Sequence, residues 1–536
     1  MICGGKMAQG IIPIVDLFAG PGGLGEGFSS EIFRERPFRI GVSVEKDPCA
    51  RQTLSLRAFF RYFKHTGRSV PEEYYQYLSG IISRTELEEL YPEEWKLAYN
   101  EAICAELGNE HSDHQPWIDK KITAAIKDHK DWVLIGGPPC QAYSLIGRSC
   151  ILGYLKSERS GKTKADFEND DRHKLYQQYL RIIALYAPAV FVMENVKGIL
   201  SSKLHGKKIF PRILKDLRDP SVAAKQYGWG KVKQNKYRIV SFVTGEEPSE
   251  GSEADFLIKA EKYGIPQARH RVILLGLRED IFDAIHGGIT PLVEKNEITI
   301  KKVIGNLPKL RSGFSKGTDS IERWKKYFHD LKKAPWLKSI EKEVRDELIA
   351  ALQELSGSNE SQVYNRWGKF PLDILNGWYT DPELKGISHH ETRTHMDSDL
   401  ARYLFVAAYG KAKNRAPHLK NFPDELLPKH KNIRKDNPDQ KFSDRFKVQV
   451  WDKPSSTITC HISKDGHYFI HPDPVQCRSL TVREAARIQT FPDNYFFEGG
   501  RTQQYHQVGN AVPPYLAKQL AEVVYDIFKK YNTRST

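Results

Sequence analysis

Short, mostly apolar segments, each ending in a turn or a chemically useful side chain, constrain this fold more than any other feature. Residues 11–18 run into Ala19-Gly20-Pro21-Gly22-Gly23, and a helix is expected to follow through Phe28. Residues 39–44 end at Glu45, residues 132–135 stop at Gly136-Gly137-Pro138-Pro139, and residues 189–193 end at Glu194-Asn195. A helix is expected over 179–186 and a further strand over 272–277. Apolar strands that alternate with helices belong in a parallel sheet covered on both faces. The pattern therefore predicts an α/β chain on a mostly parallel, doubly wound sheet.

Three stretches break the rhythm. Residues 55–118 form a long insertion between strands, and within it 72–110 carry ten acidic against two basic residues. Residues 141–172 read as a polar loop. From about 298 to 447 the alternation is lost, although Val344, Leu348, Leu352 and Leu355 stand at helical spacing and predict a core-facing helix. The alternation resumes near Arg478.

A chain of 536 residues can bury at least two cores. With 40% hydrophobic and 28% charged residues it is neither a disordered chain, a collagen-like repeat nor a small disulfide scaffold. No apolar run approaches the ~18 residues of a membrane span, and no signal-peptide pattern opens the sequence. Seven cysteines, odd in number and without a C-x-x-C pair, argue against structural zinc or an oxidised framework and for a reducing cytoplasm. The formal net charge of +14 suggests a polyanionic partner, most simply nucleic acid.

Gly20, Gly22 and Gly25 spell G-x-G-x-x-G directly after a strand, with Glu45 at the end of the next one. Such glycines let the backbone turn sharply against a ligand at a helix start, and the carboxylate can accept from ribose hydroxyls. NAD, FAD and S-adenosylmethionine all fit this signal, as does a tight turn with no ligand. Cys140 comes directly after a Gly-Gly-Pro-Pro turn at the C-terminal end of a strand, where open α/β sheets bind ligands. The prolines stiffen that turn and expose the thiol beyond it, whereas an inert buried thiol is the reading that suits the other six cysteines. Glu194 either serves a site or caps the next helix. Arg269 and Arg271 alternate onto one face just before a strand, as an anion or electron-rich intermediate requires.

Taken together, the motifs are far more specific than any one of them. Asp16-Leu17-Phe18-Ala19-Gly20-Pro21-Gly22-Gly23, Pro138-Pro139-Cys140-Gln141, Glu194-Asn195-Val196 and Gln267-x-Arg269-x-Arg271 occur in this order. The stretch from Arg478 to Pro492 and Gly509-Asn510-Ala511-Val512-Pro513-Pro514 complete the series. The chain strongly resembles the DNA (cytosine-5)-methyltransferase family, of bacterial modification type. The resemblance covers most of 11–54, 131–200, 261–277 and 478–521, but neither 55–118 nor most of 298–447.

The resemblance implies a Rossmann-like S-adenosylmethionine-dependent catalytic domain from 1–297 and 478–536, with a smaller target-recognition domain from 298–477. It implies methyl transfer to carbon 5 of cytosine in double-stranded DNA, with the base flipped out of the duplex. Cys140 matches the nucleophile that adds to carbon 6. Glu194 matches the carboxyl that hydrogen-bonds ring nitrogen 3 and the exocyclic amine, and Arg269 and Arg271 match the pair that supports the intermediate. Cofactor residues carried over by motif are Phe18, Ala19, Gly20, Gly22, Gly23, Glu45, Pro138, Pro139, Leu175, Asn510 and Val512, with S-adenosylhomocysteine as product and no metal. An acidic residue after the third strand is expected to hold the adenine amine; Asp119 is one option for it. The 141–172 loop is expected to close over DNA as a lid.

Three rivals remain open at this level: an RNA (tRNA) cytosine-5 methyltransferase, a nicotinamide-dependent oxidoreductase, and a non-catalytic DNA-binding protein on the same fold. A bacterial cytoplasmic setting in restriction-modification or phage defence is expected, with no membrane association. Positive charge concentrates in 203–238, 301–338 and 409–447 and is expected to flank the DNA cleft. The acidic 72–110 stretch is expected to contact a protein partner, to regulate access to that cleft, or to be a solvated helical excrescence.

Overall fold

A computed structural model describes residues 10–108, 114–127, 129–139, 175–204, 207–357, 371–428 and 445–533. Cys140 and the 141–172 loop lie outside the described residues. The first strand, β1 (Ile12–Leu17), is followed by the glycine turn and a short helix, α1 (Gly23–Phe28). β2 (Phe38–Glu45) leads into α2 (Pro48–Thr66). The Asp47 carboxylate caps α2 by accepting from Ala50 N at 2.8 Å, Pro48 opens it, and Gly67 ends it at φ +70°.

Three further helices come next: α3 (Glu72–Leu78), α4 (Arg84–Leu90) and α5 (Pro92–Glu101). The chain then enters β3 (Ala102–Cys104) and α6 (His114–Ile126). The sheet's third strand thus lies inside the stretch that reads as an insertion, and the additional chain is α3–α5. β4 (Val133–Gly136) is wholly buried; α7 (Leu175–Tyr186) and β5 (Val190–Val196) come after the undescribed segment.

Beyond β5 come a short hairpin, β6 (Lys203–Leu204) and β7 (Lys207–Lys208), and two helices, α8 (Phe210–Arg218) and α9 (Pro220–Tyr227). β8 (Tyr237–Ser241), β9 (Leu257–Lys259), β10 (Gln267–Ala268) and β11 (His270–Arg278) complete the strands that concern the site. The main sheet runs β3-β2-β1-β4-β5-β11-β8. It is parallel from β3 to β5, and β11 is antiparallel to both β5 and β8.

β1 pairs with β2 on one side and β4 on the other, so the winding reverses there and opens a crevice at the strand ends. Two apolar layers cover the two faces of the sheet, one including Ile14, Val192 and Leu520, the other Val15, Leu134 and Phe191. A separate core forms on α10 (Ile321–Leu331), α11 (Lys342–Gly357) and α12 (Asp397–Lys413). Val344, Leu348, Leu352 and Leu355 all point into it, each at most 2% exposed. Another core joins residues 300–307, 372–387 and 458–469 to the C-terminal helices α13 (Val482–Ile488) and α14 (Arg501–Asn510). α15 (Pro514–Asn532) returns to the sheet and packs on α1 at Gly27, whose missing side chain leaves room for Ala517.

Candidate active site

The C-terminal ends of the parallel strands bring the motif residues to one edge. Phe18 to Gly23 come after β1, Glu45 ends β2, Gly137 to Pro139 come after β4, and Glu194 stands near the end of β5. β11 runs the other way, so its beginning lies at this same edge: Arg271 pairs in register with Val196 and Ile273 with Glu194. A residue that opens one strand can therefore meet a residue that closes another.

Arg271 Nε donates to Glu194 Oε1 at 2.9 Å, with both side chains largely shielded. A Cβ on Gly137 would stand 3.0 Å from Glu194 Oε2, so the glycine gives the carboxylate its place beside the Gly-Gly-Pro-Pro turn. Asn195 Nδ2 reaches back to the Pro138 carbonyl at 3.5 Å, which ties the end of β5 to the turn that leads to Cys140. Arg269 is 3% exposed and lies deeper. Its Nη1 donates to the carbonyls of Ile458 at 2.8 Å and Gly509 at 3.3 Å, and its Nε has no partner among the described residues. Burial pushes the Arg269 guanidinium well below its ordinary range, and the neighbouring Arg271 charge adds to that. Of the two arginines, Arg271 is the one in contact with Glu194; Arg269 joins β10 to the segments around Ile458 and Gly509.

The glycine turn is built for close approach. Phe18 holds a left-handed backbone at φ +56°, a conformation that a bulky residue adopts only when its surroundings impose it. Gly20 N donates to Glu45 Oε2 at 2.8 Å and Asp47 N to Oε1 at 2.9 Å, fixing the Glu45 carboxylate at the mouth of the turn. Burial raises the Glu45 carboxyl, opposed by these backbone donors. A Cβ on Gly23 would lie 2.1 Å from the Val512 carbonyl oxygen, and one on Gly22 would lie 2.8 Å from Leu54 Cδ2. The Gly509-to-Pro514 motif thus closes directly on the turn, with Val512 buried and Asn510 exposed at the end of α14. Leu175 begins α7 and is half-buried.

Beneath the turn, Asp16 is fully buried and neither carboxyl oxygen has a hydrogen-bond partner among the described residues. Burial pushes it up to about 8, despite the nearby Arg61. Gly20 has open space around it, and with the fixed Glu45 acceptor beside it the turn fits a ligand that carries a ribose diol. S-adenosylmethionine carries one.

Several contributors escape sequence reasoning. Tyr495 donates to the Pro21 carbonyl inside the turn. Gln267 donates to Gln489 Oε1 at 2.6 Å and accepts from Ile458 N at 2.9 Å, while Gln489 donates to the Val508 carbonyl at 2.6 Å. Asp119 is bound by Arg181 on α7 at 3.0 and 2.5 Å. The acidic residue just after β3 is instead Glu106, exposed and 3.4 Å from Lys46 at the end of β2. Locating β3 would have exposed it, but three residues after a run of helices carry no strand period.

The family model of the C-5 cytosine-specific DNA methylases matches residues 93–227 and 254–526. A type II methyltransferase of Bacillus paralicheniformis is 32% identical, covering 97% of this chain and all of that protein. The type II methyltransferase M.DdeI of Desulfomicrobium norvegicum is 24% identical over 97% of this chain and 90% of its own. A DNA (cytosine-5-)-methyltransferase of Aeropyrum pernix is 26% identical over 74% and 81%. With this sheet order, this strand-end constellation and a match over most of its length, the chain belongs to the C-5 cytosine-specific DNA methylase family.

Proposed function

We propose that carbon-5 methylation of cytosine in double-stranded DNA, the reaction of this family, is carried out here by Cys140, Glu194 and Arg271 at the β5–β11 edge. The Arg271–Glu194 pair carries the reading, because it fixes a carboxylate beside the turn that leads to Cys140. Carbon 5 of cytosine is a weak nucleophile. The Cys140 thiolate forms a bond to carbon 6, the ring double bond opens toward nitrogen 3, and carbon 5 becomes enamine-like. Glu194 hydrogen-bonds nitrogen 3 and the exocyclic amine as charge gathers there, and Arg271 holds the carboxyl in place. Loss of the carbon-5 proton after methylation re-forms the double bond and expels the thiolate.

S-adenosylmethionine, held in the β1–β4 crevice, supplies the activated methyl group, with S-adenosylhomocysteine as its product. Phe18 to Gly23, Pro138, Pro139 and Val512 would line that crevice, Glu45 would take the ribose, and Asn510 and Leu175 would border it. Glu106 replaces Asp119 as the partner for the adenine amine. A base inside a duplex cannot present carbon 6, so the cytosine is flipped out. Residues 298–477 serve as the target-recognition domain. The type II names of the relatives support a place in a restriction-modification system.

Cys140→Ala tests the reading. It should abolish methylation of plasmid DNA, as read by bisulfite mapping, while S-adenosylmethionine and DNA still bind. Undiminished turnover would remove the covalent route.

A further inference from the structure

Helices α3–α5 form no loose excrescence. Phe59 of α2 stacks on Trp95 of α5 with centroids 4.8 Å apart, and Tyr74, Leu87 and Trp95 are buried in that core. From it, phenols of α3 reach into other parts of the molecule. Tyr75 donates to Asp381 Oδ2 at 2.9 Å, Tyr74 to the Asn494 carbonyl at 3.3 Å, and Tyr77 to Glu498 Oε1 at 2.7 Å.

Asn494 is the hub of these contacts. Its Nδ2 donates to Asp381 Oδ2 at 2.6 Å, and its Oδ1 accepts from Arg57 Nη1 at 3.1 Å. Arg57 then grips Glu26 with Nε at 2.8 Å and Nη2 at 2.5 Å. Glu26 belongs to α1, which grows directly out of the glycine turn, and Tyr495, beside Asn494, donates to Pro21 within that turn. Arg57, Glu26 and Asn494 are each at most 6% exposed. A buried two-pronged arginine–carboxylate pair has one good geometry, so the groups that orient Arg57 orient α1.

We infer that the inserted helices are a positioning element for the cofactor turn. Tyr75 and Asp381 orient Asn494, Asn494 orients Arg57, and Arg57 and Tyr495 hold α1 and Pro21 in the shape that receives S-adenosylmethionine. This rests on the reading of that turn as the cofactor site. Tyr75 and Asn494 act through other residues, so their loss should weaken cofactor binding and leave the chemical step in place.

The test is equilibrium binding of S-adenosylmethionine to the full chain by titration calorimetry, together with kcat and both KM values on plasmid DNA. Asn494→Ala should raise the Kd and the KM for S-adenosylmethionine five- to tenfold, with kcat and the KM for DNA within twofold of wild type. Tyr75→Phe, which removes one oxygen atom, should move the same two constants two- to threefold and carries the test alone if Asn494→Ala does not fold. Variants that melt earlier yet bind S-adenosylmethionine as wild type does would reduce the insertion to scaffolding and overturn the inference. A rise confined to the KM for DNA would overturn it too, in favour of a role at the DNA cleft. If the wild-type chain itself binds no S-adenosylmethionine, the cofactor reading fails first and the inference falls with it.

Discussion

Arg271 donates to the Glu194 carboxylate at 2.9 Å from a strand that runs antiparallel to the one carrying Glu194. The pairing explains why one residue closes β5 while the other opens β11. Both lie at the edge where the parallel strands end, so a cation and a carboxylate far apart in sequence converge at one point of the sheet edge.

Glu194→Gln keeps the side-chain shape and removes the charge. Methyl transfer in a single turnover should fall by about 10²–10³-fold, the usual cost of losing one preorganised stabilising group. Arg271→Lys retains the positive charge but loses the planar fork, and its rate should fall by about tenfold. DNA affinity should stay within a few-fold for both. An Arg271→Lys rate equal to wild type would show that the pairing is immaterial to the reaction.

Gly23 and Gly20 should respond differently to alanine. A Cβ at Gly23 meets the Val512 carbonyl at 2.1 Å, and a backbone oxygen cannot step aside as a side-chain tip can. Gly23→Ala should therefore cost about 1–3 kcal/mol in urea unfolding and weaken S-adenosylmethionine binding at least tenfold. Gly20, at φ +57° with open space around it, should cost only the conformational penalty of about 1–2 kcal/mol.

Strand-end chemistry is legible in the sequence because β1, β2, β4, β5 and β11 are short apolar runs punctuated by glycine, proline or a charge. The motif residues therefore sit at strand ends that the apolar runs alone predict. β3 is hidden because three residues after a run of acidic helices have no period of their own. The contacts that join motifs are also hidden: Gln267 meets Gln489 across 222 positions, and Tyr495 meets Pro21 across 474. Such links depend on how whole layers dock, which neither spacing nor composition encodes. The aromatic face of α3–α5 offers a signal in Tyr74, Tyr75 and Tyr77, but the acidic charge around it points toward solvent.

Acid should loosen α12 and the start of α13 before it loosens the sheet. His395, two residues before α12 and edge-on to its Tyr403, and His390, bonded to Thr481 at the start of α13, are buried neutral, and desolvation pushes them down to about 3 and about 4 respectively. An unfolded chain protonates both near 6.5, so below that pH the unfolded state binds more protons and stability falls as pH falls. At pH 5 each histidine should have cost about 2 kcal/mol. Asp16 in β1 has the opposite sign: its raised carboxyl is already protonated in the fold, so its contribution grows as pH drops from about 8 toward 4. Amide exchange, corrected for its intrinsic pH dependence, should thus lose protection in α12 between pH 6.5 and 4.5 while β1 keeps it. Equal loss in both would contradict the assignment.

Lysines on the β6–β7 hairpin should account for part of the salt dependence of DNA binding. Lys203, Lys207 and Lys208 are exposed shortly after Glu194 and have no carboxylate partner among the described residues. By contrast Lys411 and Lys413 are held by Glu347, Glu341 and Glu343 at 2.5–2.8 Å. A cation already neutralised by carboxylates releases few counterions from DNA, whereas an unpaired one lowers the slope of log K against log salt by about 0.9 per phosphate contact. The triple Lys→Gln variant at 203, 207 and 208 should flatten that slope by about 2–3, and Gln at 411 and 413 should leave it nearly unchanged. Fluorescence anisotropy on a duplex between 50 and 200 mM salt, on the order of the range in which such contacts are read, decides the matter. A triple variant with the wild-type slope would place the hairpin away from the phosphates.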